Sequence, residues 1–126
     1  MFWEKKEEPY EPIVQIQNGF VPGLYVCGLN TPECSHLLIN KEVFTIGSGS
    51  DNDGVMDFPM LGLSRKHCQI ECKDGKFTVE DCNSMNGTYV NGKRLLPGVK
   101  TPIKGGDQMR LGMCVLSVDE IIQEEL

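Results

Sequence analysis

The sequence predicts an all-β domain, a sandwich or barrel of short strands with its functional loops gathered at one end. Three observations carry that prediction. Apolar and polar residues alternate in short runs rather than at helical spacing. Turn residues separate those runs at close, regular intervals. Fourteen glycines and seven prolines in 126 residues supply the punctuation. A chain of this length holds one hydrophobic core, so one fold and one site are expected.

Residues 1–12 (MFWEKKEEPYEP) are charged, carry Pro9 and Pro12, and read as a linker or boundary segment. The folded domain is expected over residues 13–118. Its strand-like runs are IVQIQ from Ile13, LYVCGL from Leu24, HLLIN from His36, EVFTI from Glu42 and GVMDF from Gly54. They continue with HCQIEC from His67, KFTVED from Lys76, GTYVNG from Gly87, QMRLGM from Gln108 and CVLSVDE from Cys114. Each shows period-2 alternation or a short apolar stretch, the signature of a strand with a buried face. Lys73-Asp74-Gly75-Lys76 and Asn91-Gly92 supply residues that tolerate positive φ in tight hairpins. Residues 119–126 are an acidic tail, and the run from Val118 to Leu126 (VDEIIQEEL) is the one helix-like segment, too short to stand without packing.

Eighteen acidic against twelve basic residues give a formal charge of −6. A strongly acidic protein is repelled by nucleic-acid phosphates and anionic membranes, so neither is an expected partner. The excess sits in the flanks, because residues 13–118 hold ten acidic and ten basic side chains. That neutral fold still permits one phosphate at a local basic loop. No run of 18 apolar residues and no signal-peptide h-region occurs, so a cytoplasmic location is expected. Cys27, Cys34, Cys68, Cys72, Cys82 and Cys114 are then reduced thiols. They lack a C-x2-C spacing and read as core filler, with no metal and no cofactor expected.

Two segments suggest enzymatic or metal chemistry in three readings, and each reading lacks the next residue that chemistry requires. The run from Gly47 to Gly54 (GSGSDNDG) is not followed by the Gly-Lys-Ser/Thr of a phosphate loop. Read as a calcium loop, it puts Gly49 at the first ligand and Met60 where a bidentate Glu belongs. Gly62-Leu63-Ser64-Arg65-Lys66 begins like a nucleophile elbow but ends in Lys66, and it sits in no α/β pattern. No catalytic residues are assigned.

What remains is a set of polar loop residues: Gly47-Ser48, then Ser64-Arg65-Lys66-His67, then Asn83 to Thr88. Hydroxyl, guanidinium and amide donors without a catalytic base suit a bound phosphate or carboxylate. At these residues the sequence resembles the forkhead-associated (FHA) family, from about Tyr25 to Val118. The resemblance is carried by Ile46-Gly47, by Ser64-Arg65-Lys66-His67, by Asn86-Gly87-Thr88-Tyr89-Val90-Asn91-Gly92, and by Gly106-Asp107 followed by Leu111-Gly112. It implies a β-sandwich of about eleven strands that docks an extended peptide on its loops and prefers phosphothreonine to phosphoserine.

By the same resemblance, Ser64 would donate its hydroxyl to a phosphate oxygen, Arg65 would supply charge, and Asn86 would hold the ligand's main chain. His67, Gly47, Gly87, Thr88 and Asn91 would support the loops. The family's arginine after Gly47 is Ser48 here, so one phosphate contact is lost. Lys66, adjacent to Arg65, and Lys93 and Arg94, just past the Asn91-Gly92 turn, are candidate compensating cations. Met85 likewise stands where many relatives offer a hydroxyl. The alternative reading is therefore an FHA-like domain that binds proteins or oligomerises without phosphate. Neither flank contains serine or threonine, and all five threonines lie inside the expected fold. A phosphothreonine ligand is thus expected from another chain or another part of a parent protein.

Overall fold

The structure, a computed structural model, describes residues 23–32 and 35–121. Eleven strands occur among them: β1 (Leu24–Gly28), β2 (His36–Leu38), β3 (Val43–Gly47), β4 (Gly54–Val55), β5 (Cys68–Lys73) and β6 (Lys76–Asp81), then β7 (Thr88–Val90), β8 (Lys93–Arg94), β9 (Thr101–Ile103), β10 (Gln108–Leu111) and β11 (Cys114–Glu120). They form a six-stranded sheet, β2-β1-β11-β10-β7-β8, and a five-stranded sheet, β4-β3-β5-β6-β9. The all-β sandwich expected from the alternation is therefore present.

Period-2 patterning decides which side chains fill the space between the sheets. Leu24 and Val26 of β1, Met109 and Leu111 of β10, and Leu116 and Val118 of β11 face Ile46, Ile70 and Val79 of the other sheet, and all are buried. Truncating one of them, such as Ile70→Ala, costs about 2–5 kcal/mol because transfer and cavity terms add. Cys68 and Cys114 are fully buried members of this core, and burial pushes the Cys114 thiol up to about 11. Core filling does not describe every cysteine, however. Cys27 lies between buried Val26 and Gly28 and faces outward, where its Sγ is 2.9 Å from His36 Nδ1.

Both predicted turn sequences close two-residue hairpins. Asp74 and Gly75 have φ of 54° and 74° between the paired Lys73 and Lys76. Asn91 and Gly92 have φ of 49° and 86° between Val90 and Lys93. Positive φ at both positions matches the twist of the strands and explains why Asn-Gly and Asp-Gly stand there.

Some elements differ from expectation. The GVMDF run is a strand only at Gly54–Val55, and Pro59 then opens a 3-10 turn, Pro59–Leu61. β8 and β9 were not anticipated, being short, with β9 carrying Pro102, which an edge strand tolerates. The start of the expected helix is strand: Val118, Asp119 and Glu120 pair with Val26, Tyr25 and Leu24. Pairing with β1 satisfies backbone groups that a nine-residue helix would have to satisfy alone, so Asp119 and Glu120 belong to β11 rather than to a tail. The expected Ile13–Gln17 strand, the 1–12 segment and the rest of the tail lie outside the described residues. Among the described residues no helix is long and apolar enough to cross a membrane.

Candidate functional site

The loops after β3, before β5 and after β6 meet at one end of the sandwich through backbone hydrogen bonds. Ser48 N donates to Ser64 O and Gly49 N to Arg65 O, both at 3.0 Å. The contact is close enough that a Cβ on Gly47 would stand 2.2 Å from Arg65 O. Gly47 is therefore required by close approach, and its own φ is not in the left-handed region. Asn52, which the sequence reading did not single out, clamps the same joint: its Nδ2 donates to Gly49 O at 2.8 Å and to Arg65 O at 2.6 Å.

His67 ties the loops from inside. It is fully buried, its Nδ1 accepts from Ser64 N at 3.0 Å, and its Nε2 lies 3.0 Å from Gly87 O. Because Nδ1 must accept, the proton sits on Nε2 and donates to the Gly87 carbonyl. Burial lowers the His67 pKa, outweighing the Gly87 carbonyl and the Asp81 charge, which raise it. The ring is a neutral strut between two loops.

The hub of the third loop is Asp81, which the sequence reading missed. Its buried carboxylate accepts from Ser84 Oγ and Thr88 Oγ1 at 2.6 Å each and from Ser84 N at 3.0 Å. Burial alone would raise its pKa, but these hydrogen bonds and the nearby His67 outweigh it and hold the carboxyl below its usual range. Ser84 Oγ in turn accepts from Gly87 N at 3.0 Å. The Asp81 partners Ser84 and Thr88 lie only three and seven residues on, so the signal was a polar cluster close in sequence. Asn91 and Asp107 form a second support: Asn91 Nδ2 donates to Asp107 Oδ1 at 3.0 Å, and Asn91 Oδ1 accepts from Gln108 N at 2.9 Å.

This frame presents the expected ligand-facing residues together. Ser64 Oγ accepts from Met85 N at 2.9 Å, which orients the hydroxyl and leaves its proton to donate outward. Arg65 and Lys66 follow it, both exposed, and no described carboxylate forms an ion pair with either. Exposed Asn86 is anchored by its Nδ2 to Gly62 O at 3.0 Å, beyond Met85 from Ser64. Ser48 is half-buried, with its backbone N–H used up in the bond to Ser64 O. Lys93 and Arg94 form β8, where Arg94 lies beside Gly87 and the Tyr89 ring. Met85 is 82% exposed and contributes its backbone rather than a side-chain donor.

A β-sandwich that carries a hydroxyl, two cations and an amide on adjoining loops defines a class of recognition module. The FHA domain family profile matches residues 44–112, more than half of the chain, and the chain belongs to that family. Among curated relatives, it is 31% identical over 78 residues to an oxoglutarate dehydrogenase inhibitor of Corynebacterium diphtheriae, covering 62% of this chain and 51% of that one. It is 30% identical over 104 residues to the glycogen accumulation regulator GarA of Mycobacterium tuberculosis, covering 81% and 61%. The chain thus spans roughly half to three-fifths of these relatives' lengths. Among solved structures, an FHA domain of Arabidopsis thaliana superposes with a TM-score of 0.71 at 24% identity, over 83% of this chain and 91% of that one. An FHA domain studied for phosphothreonine-dependent interactions superposes at 0.67 and 24% identity, over 82% and 99%. These superpositions establish the fold.

Proposed function

We propose that this chain is a non-catalytic module that binds a phosphothreonine-containing segment of another protein, or of another part of its own parent protein. The observation that carries the reading is Ser64. Its hydroxyl accepts from Met85 N–H, which leaves its own proton free to donate, with exposed Arg65 and Lys66 following it in the chain and Asn86 on the adjoining loop. Phosphorylation adds about −1.5 to −2 charge and three acceptor oxygens, which are what such donors hold and an unmodified threonine lacks. Ser64 and Arg65 take the phosphate, and Asn86 takes the ligand's main chain and sets its register. The preference for phosphothreonine over phosphoserine follows from the family resemblance, as does the assignment of Ser48, Gly47, His67, Gly87, Thr88 and Asn91 to the site and its supports, while Lys66 is assigned from its adjacency to Arg65.

Ser48 lowers the expected affinity. A hydrogen bond to a charged group contributes about 1.5–3 kcal/mol, so its loss weakens binding by roughly ten- to a hundredfold. A phosphothreonine peptide library, followed by calorimetric titration of the selected peptide and its unmodified twin, tests the reading. Binding of the phosphorylated form alone, largely lost in Arg65→Ala, is expected. Equal affinity for both forms would establish the phosphate-independent alternative that Ser48 and Met85 motivate.

A further inference from the structure

The chain contains three arginines, Arg65, Arg94 and Arg110, and the ion pairs among the described residues involve none of them. Those pairs join Lys41 to Asp53, Lys100 to Glu71 and Lys104 to Asp107. Arg94 and Arg110 share one feature on the outer face of the six-stranded sheet. Tyr89 stands between them in register, opposite Arg94 on β8 and Arg110 on β10. The guanidinium carbons lie 5.8 Å and 3.8 Å from the Tyr89 ring centroid. Arg110 is held further by Nη1 donating to Gly112 O at 2.6 Å. The ring attracts each cation and water screens their mutual repulsion, so this row holds two guanidinium groups at the surface with no described carboxylate paired to either. The acidic residue on the neighbouring outer face, Asp119, is four residues along β11 from Val115, which pairs with Arg110.

The pair also adjoins the loop site. A Cβ on Gly87 would stand 2.8 Å from Arg94 Nε, and Gly112 N donates to Gly87 O at 2.9 Å. Gly87 follows Asn86 directly. Tracing from Ser64 Oγ through Met85 to Gly87 with Cα steps of about 3.8 Å puts Arg94 Nε no more than about 16 Å from the Ser64 hydroxyl. An extended peptide rising about 3.3 Å per residue crosses that distance in about five residues.

We propose that Arg94 and Arg110, braced by Tyr89, form a second anion site that receives an acidic or phosphorylated side chain of the same ligand, within about five residues of its phosphothreonine. The site rests on the phosphothreonine reading and deepens it. Planar guanidiniums with several donors suit both a carboxylate and a phosphate, so the ligand chemistry is an oxyanion and its source is decided by experiment.

Fluorescence anisotropy with a peptide series makes that test. Each peptide is made with phosphothreonine and with unmodified threonine, and carries neutral flanks, glutamates before that residue, glutamates after it, or one phosphoserine in place of a glutamate on the favoured side. Wild type is expected to gain about five- to tenfold from an anionic flank on one side, the range between an exposed ion pair and a charged hydrogen bond. Arg94→Gln is expected to lose that gain while binding the neutral-flank peptide unchanged, and Arg94→Lys to keep most of it. Arg110→Gln, checked for wild-type thermal unfolding, reports the second arm. A larger gain for phosphoserine than for glutamate identifies a doubly phosphorylated ligand, and an equal gain an acidic one. A flank preference that persists in Arg94→Gln, or no preference in wild type, would overturn the second site. Loss of discrimination between phosphorylated and unmodified threonine in every peptide would instead overturn the loop site itself.

Discussion

Replacing Asp81 by asparagine isolates what the buried carboxylate does for the loop that carries Met85 and Asn86. Three hydrogen bonds converge on it, two from hydroxyls at 2.6 Å and one from Ser84 N at 3.0 Å. Asparagine keeps the volume and one acceptor but puts an amide donor against one of those donors. A bond to a charged group contributes about 1.5–3 kcal/mol, and a buried donor left unmatched costs about 1–3 kcal/mol. Two of the three bonds come from Ser84, so they do not add fully, and a loss of about 2–4 kcal/mol is expected. That is a large share of the roughly 5–15 kcal/mol that holds a domain together. Urea unfolding of both proteins from pH 7 downward measures it. Asp81 has a folded-state pKa below its unfolded value, so its stabilisation is complete above the ordinary carboxylate pKa of about 3.9 and is lost as pH falls through the folded one. Asp53 and Asp107 share that sign and cancel in the comparison, so the gap between wild type and Asp81→Asn narrows in acid. A gap under about 1 kcal/mol at pH 7, or one that does not narrow, would refute the assignment of Asp81 as hub.

Gly47→Ala forces a Cβ into Arg65 O, because 2.2 Å is far inside contact distance, and is expected to cost about 1–3 kcal/mol, the scale of an overpacked site, and to weaken phosphopeptide binding. Ser48→Arg restores the family's missing cation and is expected to raise phosphopeptide affinity about tenfold, read by calorimetry; no gain would place Ser48 outside the phosphate's reach. His67 is expected to show a neutral ring protonated on Nε2 in nitrogen-detected NMR at pH 7. Its lowered pKa makes its contribution complete above the unfolded value of about 6.5 and lost as pH falls toward the folded one, so replacing it removes a mildly acidic step in stability.

The sandwich was legible because its strands bury one face and so alternate, and because Asp74-Gly75 and Asn91-Gly92 advertise their turns. The two-residue and Pro-containing strands, Lys93–Arg94 and Thr101–Ile103, were not, because an edge pairing too short to show a period leaves no pattern. The end of the chain misled for a related reason: Val118, Asp119 and Glu120 carry helix-compatible residues, and pairing with β1 overrides local propensity. At the site, Ser64, Arg65 and Asn86 could be picked out as exposed donors in loops. Asp81 bonds to Ser84 and Thr88 close by, and its burial is what the sequence does not show, whereas Asn52 acts by joining segments distant in sequence, which a single residue of common type reveals only once folded. The Arg94–Tyr89–Arg110 row was hidden for the same reason, since strand register alone brings the two arginines to one ring.

Titration of isotopically labelled protein with a library-selected phosphothreonine peptide, followed by amide and side-chain NMR, tests the phosphate assignment most directly. The largest shifts are expected at Ser64, Arg65 and Asn86, with the unmodified peptide producing none of them at the same concentration. Shifts of equal size from both peptides, or a footprint that leaves Ser64 and Arg65 unmoved, would contradict it.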